Sequence, residues 1–144
     1  MTLDPPLHGA WLSLRIGLGL MALLAGFDKF FNLLTTWTMY VSPRTEQLLS
    51  VPADVLMQAV GLVEVAVGVA ILGAWTRMGA YVASAWLTAV AVNLASTGMF
   101  YDLAVRDLIL ALSAYTLARL TEAQATAKAP AAAGIQTPHL SIRL

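Results

Sequence analysis

Four stretches of the 144-residue chain run apolar for about a full membrane crossing each, and short polar or turn-forming segments divide them. A hydrocarbon core of ~30 Å takes about 20 helical residues at 1.5 Å rise. The pattern therefore predicts transmembrane helices at about 11–34, 55–75, 78–99 and 103–120. Only Thr76 and Arg77 separate the second stretch from the third, and "FYD" separates the third from the fourth. Connections this short make consecutive helices antiparallel neighbours. Residues 1–120 are thus expected to form one domain, an all-α polytopic membrane protein built as an antiparallel four-helix transmembrane bundle.

Between the first two stretches, Pro43 and Pro52 bracket "RTEQLLS", which suits a short surface helix. Trp37, Met39, Tyr40 and Val41 suit the membrane–water interface, where Trp and Tyr are favoured. Asp54 stands where it could cap the helix that begins "DVLMQ". Beyond Leu120 no apolar period persists, and the Ala/Pro-rich residues 121–144 read as a mobile tail.

Composition agrees with the pattern. The chain is 59% hydrophobic and 11% charged, with a mean hydropathy of +0.76, outside the range of soluble domains of this size. A formal net charge of zero gives no footing for nucleic-acid binding. The absence of cysteine removes disulfide chemistry and thiolate metal sites. The first apolar run is longer than a signal-peptide core and has no Lys or Arg before it, so it is expected to be retained. Arg77, Arg119, Lys128 and Arg143 would gather on one side of four crossings, which predicts cytoplasmic N- and C-termini by the positive-inside rule.

Small residues recur along one face of each stretch. In the first, Arg15, Gly19, Ala22, Gly26 and Lys29 follow steps of four and three, a seam small in its middle and charged at both ends. Gly61, Glu64 and Gly68 repeat the idea, as do Ala104, Asp107, Ala111, Ala114 and Ala118. The third stretch has Gly79, Ala83, Trp86, Val90, Asn93 and Thr97. Such stripes let helix backbones approach closely in lipid. They predict tight packing through Gly19, Ala22, Gly26, Gly61, Gly68, Ala111 and Ala114, with little room left between the helices.

Each stripe also carries a polar side chain inward, and a charge near a bilayer centre costs roughly 2.5–3.5 kcal/mol unless it is paired. The expected cluster opposes Lys29, and Arg106 beside it, to Glu64 and Asp107, with Asn93 or Gln58 completing the hydrogen bonds. Arg15, nearer the other end, could extend its guanidinium to headgroups without a buried partner. Asp28 lies about 100° from Lys29 and is expected off the seam, at the rim or against another subunit. The cluster admits two uses, a structural ion-pair network or a polar pocket that binds a quinone headgroup or relays protons.

Other chemistry finds little support. His8 and His139 both lie outside the apolar stretches, so haem or metal ligation is not expected. "GLG" at 17–19 sits inside an apolar helix and reads as packing, the Ser and Thr residues have no histidine base near them, and Trp86 reads as packing or a protein contact.

"LRIGLGLMALLAGFDKF" resembles the first span of the DoxX family, and "GLVEVAVGVAILGAWTRMGA" resembles its second span and following turn. The likeness runs over about 14–120. By position it carries Arg15, Gly26, Lys29, Glu64, Gly68 and Arg77 as family-pattern residues, without chemical roles. It implies a four-helix protein of the prokaryotic inner membrane, similar to the small subunit of a membrane thiosulfate:quinone oxidoreductase. Some distant relatives use paired cysteines for thiol redox, which this chain lacks. The expected function is a non-catalytic accessory subunit of a larger quinone-linked redox complex. The alternatives are a small-solute or proton pathway and a subunit contributing part of a quinone site. No cofactor is expected to be held by this chain alone, quinone or lipid could lie at its surface, and its partners would be membrane lipid and other subunits of the complex.

Overall fold

The computed structural model describes residues 4–128. Among them lie five α-helices and one short 3-10 turn: α1 (Pro5–Phe31), the 3-10 turn Trp37–Tyr40, α2 (Pro43–Leu49), α3 (Ala53–Leu72), α4 (Thr76–Ser96) and α5 (Tyr101–Lys128). Three of these, α1, α3 and α4, are long and apolar enough to cross a membrane.

The helix limits differ from the hydropathy pattern where local chemistry overrides it. α1 starts at Pro5 rather than near Trp11, because prolines fit the first helical turn, where their missing N–H is not needed. It stops at Phe31 rather than Leu34, where Asn32 takes the left-handed conformation at φ 52°. At the start of α3, Pro52 occupies the cap position and Asp54 falls inside the first turn, so Asp54 favours the helix dipole but does not cap. Ser42 does cap, its Oγ accepting from the Arg44 amide at 3.3 Å, and α2 forms between the two prolines.

The expected tail is shortened from its N-terminal side. α5 continues through 121–128, and its last turns are tied to α1. Trp11 Nε1 donates to Thr121 Oγ1 at 2.9 Å, and the His8 ring and Gln124 amide meet at 3.1 Å. The remainder of the expected tail, with His139 and Arg143, lies outside the described residues.

Two helix pairs make the body. α1 packs along α3, α4 packs along α5, and α3 meets α4 chiefly beside the turn that joins them. In the first pair a Cβ on Gly26 would stand 2.7 Å from the Gly61 carbonyl oxygen, and one on Gly68 would stand 2.9 Å from that of Gly19. Seven residues back along α1 thus match seven forward along α3, the register of two antiparallel helices in backbone contact. In the second pair Ala104, Ala111, Ala114 and Ala118 are buried. The largest core cluster gathers Trp11, Leu18, Val67, Ile71, Ala80, Ala83 and Leu117 toward the α3–α4 turn, hereafter the turn end. At the opposite, loop end a smaller cluster of Ala91, Leu94 and Ala104 packs with Tyr40 and Phe100. Outward positions on α1, α3, α4 and α5, such as Leu24, Leu62, Val92 and Leu112, are apolar and exposed.

Candidate functional site

The stripes close each helix pair but not the space between pairs. A cavity of about 590 Å³ lies there, which corrects the expectation of a filled interior. Gly79 of the α4 stripe is buried in packing against α3, whereas Ala83, Trp86, Val90 and Asn93, further along the same face, form cavity wall. Ala22 and Met21 of α1 face the cavity too. The wall is mostly apolar, with a concentrated set of polar groups toward the loop end.

Lys29 is the centre of that set. The Gly26–Gly61 contact brings the helices so close that a Cβ on Gly61 would stand 3.0 Å from Lys29 Cβ. Its side chain leans back toward the N-terminus of α1, as helical side chains do, and Nζ donates to Glu64 Oε2 at 2.6 Å. The side chains are 4% and 16% exposed, so solvent does little to screen the pair. Nζ also lies 3.7 Å from the centroid of the Trp37 ring, a cation–π contact.

Trp37 is held there by Asp28. Its Nε1 donates to Asp28 Oδ2 at 2.7 Å, and the same carboxylate accepts from the Leu33 amide at 3.0 Å and the Leu34 amide at 3.1 Å. Asp28 is therefore buried and bonded, not placed at an outer rim as its angular offset suggested. Its partners lie just beyond the end of α1, where helical geometry no longer places residues. Asp28 and Lys29, adjacent in sequence, thus grip one indole from its edge and from its face.

The remaining expected members divide. Asp107 is buried and faces the cavity, but its ion-pair partner is its neighbour Arg106 at 3.0 Å rather than Lys29. Arg106 is largely exposed and reaches the cavity lining from α5. Asn93 lines the cavity without bonding to the charges. Its Oδ1 accepts from the Ser42 amide at 3.2 Å and Thr45 Oγ1 at 2.7 Å, while Nδ2 donates to the Tyr40 carbonyl at 2.8 Å. Asn93 fastens the 3-10 turn and the start of α2 over the loop end of α4. Gln58 is exposed and takes no part. Trp86 presents a buried Nε1 with no hydrogen-bond partner among the described residues.

Arg15 belongs elsewhere, and the headgroup expectation fails for a geometric reason. The Gly19–Gly68 register sets Arg15 level with the end of α3, whose last carbonyls lack helical partners. Nε donates to the Ile71 carbonyl at 3.0 Å, and Nη2 donates to those of Leu72 and Gly73 at 2.6 and 2.7 Å. A cation at a helix C-terminus also meets the negative end of the helix dipole. Arg77 is exposed in the first turn of α4. No group of three or more His, Asp or Glu side chains among the described residues could hold a metal ion.

An all-helical chain with three membrane-length apolar helices, an ion pair in its interior and apolar outward faces is a multi-pass membrane protein. The DoxX family model matches residues 10–97, more than half of the chain, and the chain belongs to the DoxX family. The match spans α1, the loop, α3 and α4, and ends before α5, short of the region the sequence resemblance suggested. No curated protein and no solved structure matches the chain.

Proposed function

We propose that this DoxX-family protein is a small accessory subunit of a quinone-linked redox complex in a prokaryotic inner membrane, and that its contribution is a ring-sized lipophilic pocket. The cavity between the helix pairs carries this reading. Its volume falls within the range of small-molecule sites, which combine apolar walls with a few fixed polar groups. The polar groups lie at one end, as a ligand with an apolar body and a polar head requires.

In this reading α5 is the fourth crossing. Its 28 residues exceed a bilayer's hydrocarbon thickness, its alanines pack on α4, and its outward Val105, Leu108, Ile109 and Leu112 are apolar. The turn end and both termini would face the cytoplasm, with Arg77, Arg119 and Lys128 on that side. The test is purification from the native membrane in mild detergent, with mass spectrometry of co-purifying polypeptides, quinone and lipid. The expected result is an isoprenoid quinone together with redox subunits. Recovery as a bare monomer with nothing bound would overturn the proposal.

A further inference from the structure

Among the described residues that line the cavity, three are exposed: Leu49 at the end of α2, Ala89 of α4 and Arg106 of α5. They mark two mouths of different chemistry. Counting about 100° per residue from Gly79, the α4 residues Ala80, Ala91 and Leu94 lie about 60–120° to one side and Ala89 about 80° to the other. The first three share core clusters with alanines of α5, so Ala89 borders the gap between α4 and α3. By the same count from Ala104, Arg106 lies on α5 beyond Asp107 and Leu110, on the side away from α4 and toward α1. Its exposed guanidinium makes that second mouth charged.

The α3–α4 mouth is framed on all sides. At the turn end Gly79 stands against Ala70 and Ile71 and closes the gap. At the loop end α2 crosses it as a lintel: Thr45 Oγ1 donates to Asn93 Oδ1 of α4 at 2.7 Å, and Ser50, Val51 and Pro52 join Leu49 to the start of α3. Between the Lys29–Glu64 pair and the mouth, the wall is Val60, Met57 and Leu56 of α3 with Val90 of α4, all apolar. Ala89 stands about seven residues, or ~10 Å, inside the Ser96 end of α4, a depth at which a membrane-length helix is surrounded by acyl chains. We infer that the α3–α4 mouth holds the apolar tail of the cavity's ligand, which runs from a head at the Lys29–Glu64 end past Met57 and out between Leu49 and Ala89 into the bilayer. The inference rests on the pocket reading above and adds where the tail lies and through which side the pocket meets lipid. An alkyl chain at the other mouth would strip the Arg106 guanidinium of its polar surroundings and put nothing in their place.

The experiment uses the full chain in lipid nanodiscs and two probes, a decyl-substituted benzoquinone and the same ring with a methyl group in place of the decyl chain. Each variant's affinity is compared with the wild-type affinity for the same probe, so partition into the bilayer cancels. Ala89→Trp puts a ring in the mouth; it is expected to weaken the decyl probe at least about fivefold, the low end of what overpacking costs, and the short probe less than about twofold. Val92→Trp adds the same ring at an exposed α4 position outside the cavity wall and is expected to change neither. Because the chain has no cysteine, Ala89→Cys carries a single reactive thiol. Capping it with benzyl methanethiosulfonate in the folded protein should reproduce the effect of Ala89→Trp, and release of the benzyl group should restore binding, which separates plugging from misfolding. Equal weakening of both probes would mean that the ring disturbs the head site, and unchanged binding of both would leave the mouth to lipid acyl chains. Either result, or a loss as large in Val92→Trp, overturns this inference while the pocket reading stands. If neither probe binds the wild-type chain, the pocket reading itself fails.

Discussion

Arg15 and Lys29 stand on the same face of α1, two heptads and ~21 Å apart, and the molecule treats them in opposite ways. Arg15 spends its donors on three carbonyls at the end of α3, in the well-packed turn end, beside the Trp11 ring. Lys29 meets a single carboxylate beside a cavity, under an indole that another carboxylate holds in place. The first arrangement completes a helix terminus, something every helix needs. The second is not required by any helix, since an apolar pair of similar volume would fill the space at no cost in charge burial. That difference is what the proposed pocket adds to the fold: Arg15 completes a helix end, and Lys29 stands at the polar end of a cavity.

The sharpest way to break the comparison is to strand each cation in turn. Glu64→Gln leaves Lys29 buried without its counter-charge, and loss of one member of a buried pair costs about 3–5 kcal/mol. Thermal unfolding in detergent should register it as the largest single effect. Replacing both members, Lys29→Met with Glu64→Leu, should recover most of that loss, since no desolvated charge remains. Failure of the double variant to recover would mean that the pair serves the fold after all, as Arg15 does. Arg15→Met should cost less, about 1.5–3 kcal/mol, because the carbonyl of Gly73 is near solvent and water can take part of the guanidinium's place. No apolar substitution opposite it should recover that loss, because the orphaned partners are backbone.

The glycines between the two cations sharpen the comparison further. At Gly26 a Cβ would meet the backbone of Gly61 and Val65, which cannot yield without moving α3. At Gly19 it would meet Cγ of the Leu72 side chain at 2.5 Å, and a leucine can change rotamer. Gly26→Ala is therefore expected to destabilise by about 1–3 kcal/mol, and Gly19→Ala by less. Equal losses at the two positions would mean that the α1–α3 seam is uniformly rigid rather than tightest beside Lys29.

Much of this architecture is legible in the heptad spacing alone, because period and small-residue stripes are local properties of a helix. The seam residues Gly19, Gly26, Gly61 and Gly68 do meet backbone to backbone, and Lys29 meets Glu64 from the matching stripe. Arg15 could have been placed as well. Aligning the two glycine pairs sets it opposite the end of α3, a step that hydropathy alone does not suggest. The cavity was hidden because a stripe shows which residues face inward, not whether anything fills the space they face. Ala83, Trp86, Val90 and Asn93 share a stripe with Gly79, yet those four line a void while Gly79 is packed against Ala70 and Ile71. Of the two cations that the spacing set against Asp107, Arg106 pairs with it and Lys29 does not. Depth and face place it near Lys29, but an adjacent arginine on the same helix turn competes for it.

Asp28 was the least legible residue, because its partners come from chain that has left the helix, and it offers the finest test of how the Lys29 end is built. Its carboxylate takes the Leu33 and Leu34 amides and the Trp37 indole at once, so it fixes the course of the loop and the ring that covers Lys29. Asp28→Asn keeps an acceptor oxygen and nearly the same shape but loses the charge that strengthens all three bonds. The expected loss is about 1 kcal/mol, which corresponds to about a fivefold faster amide hydrogen exchange at Leu33 and Leu34. Exchange within α1 near Arg15 should not change, since nothing in that network reaches the turn end. If protection fell equally at both ends, the two cations would belong to one cooperative unit and their contrast would be one of chemistry only. If protection at Leu33 and Leu34 stayed as it was, Asp28 would not be what holds Trp37 above the lysine.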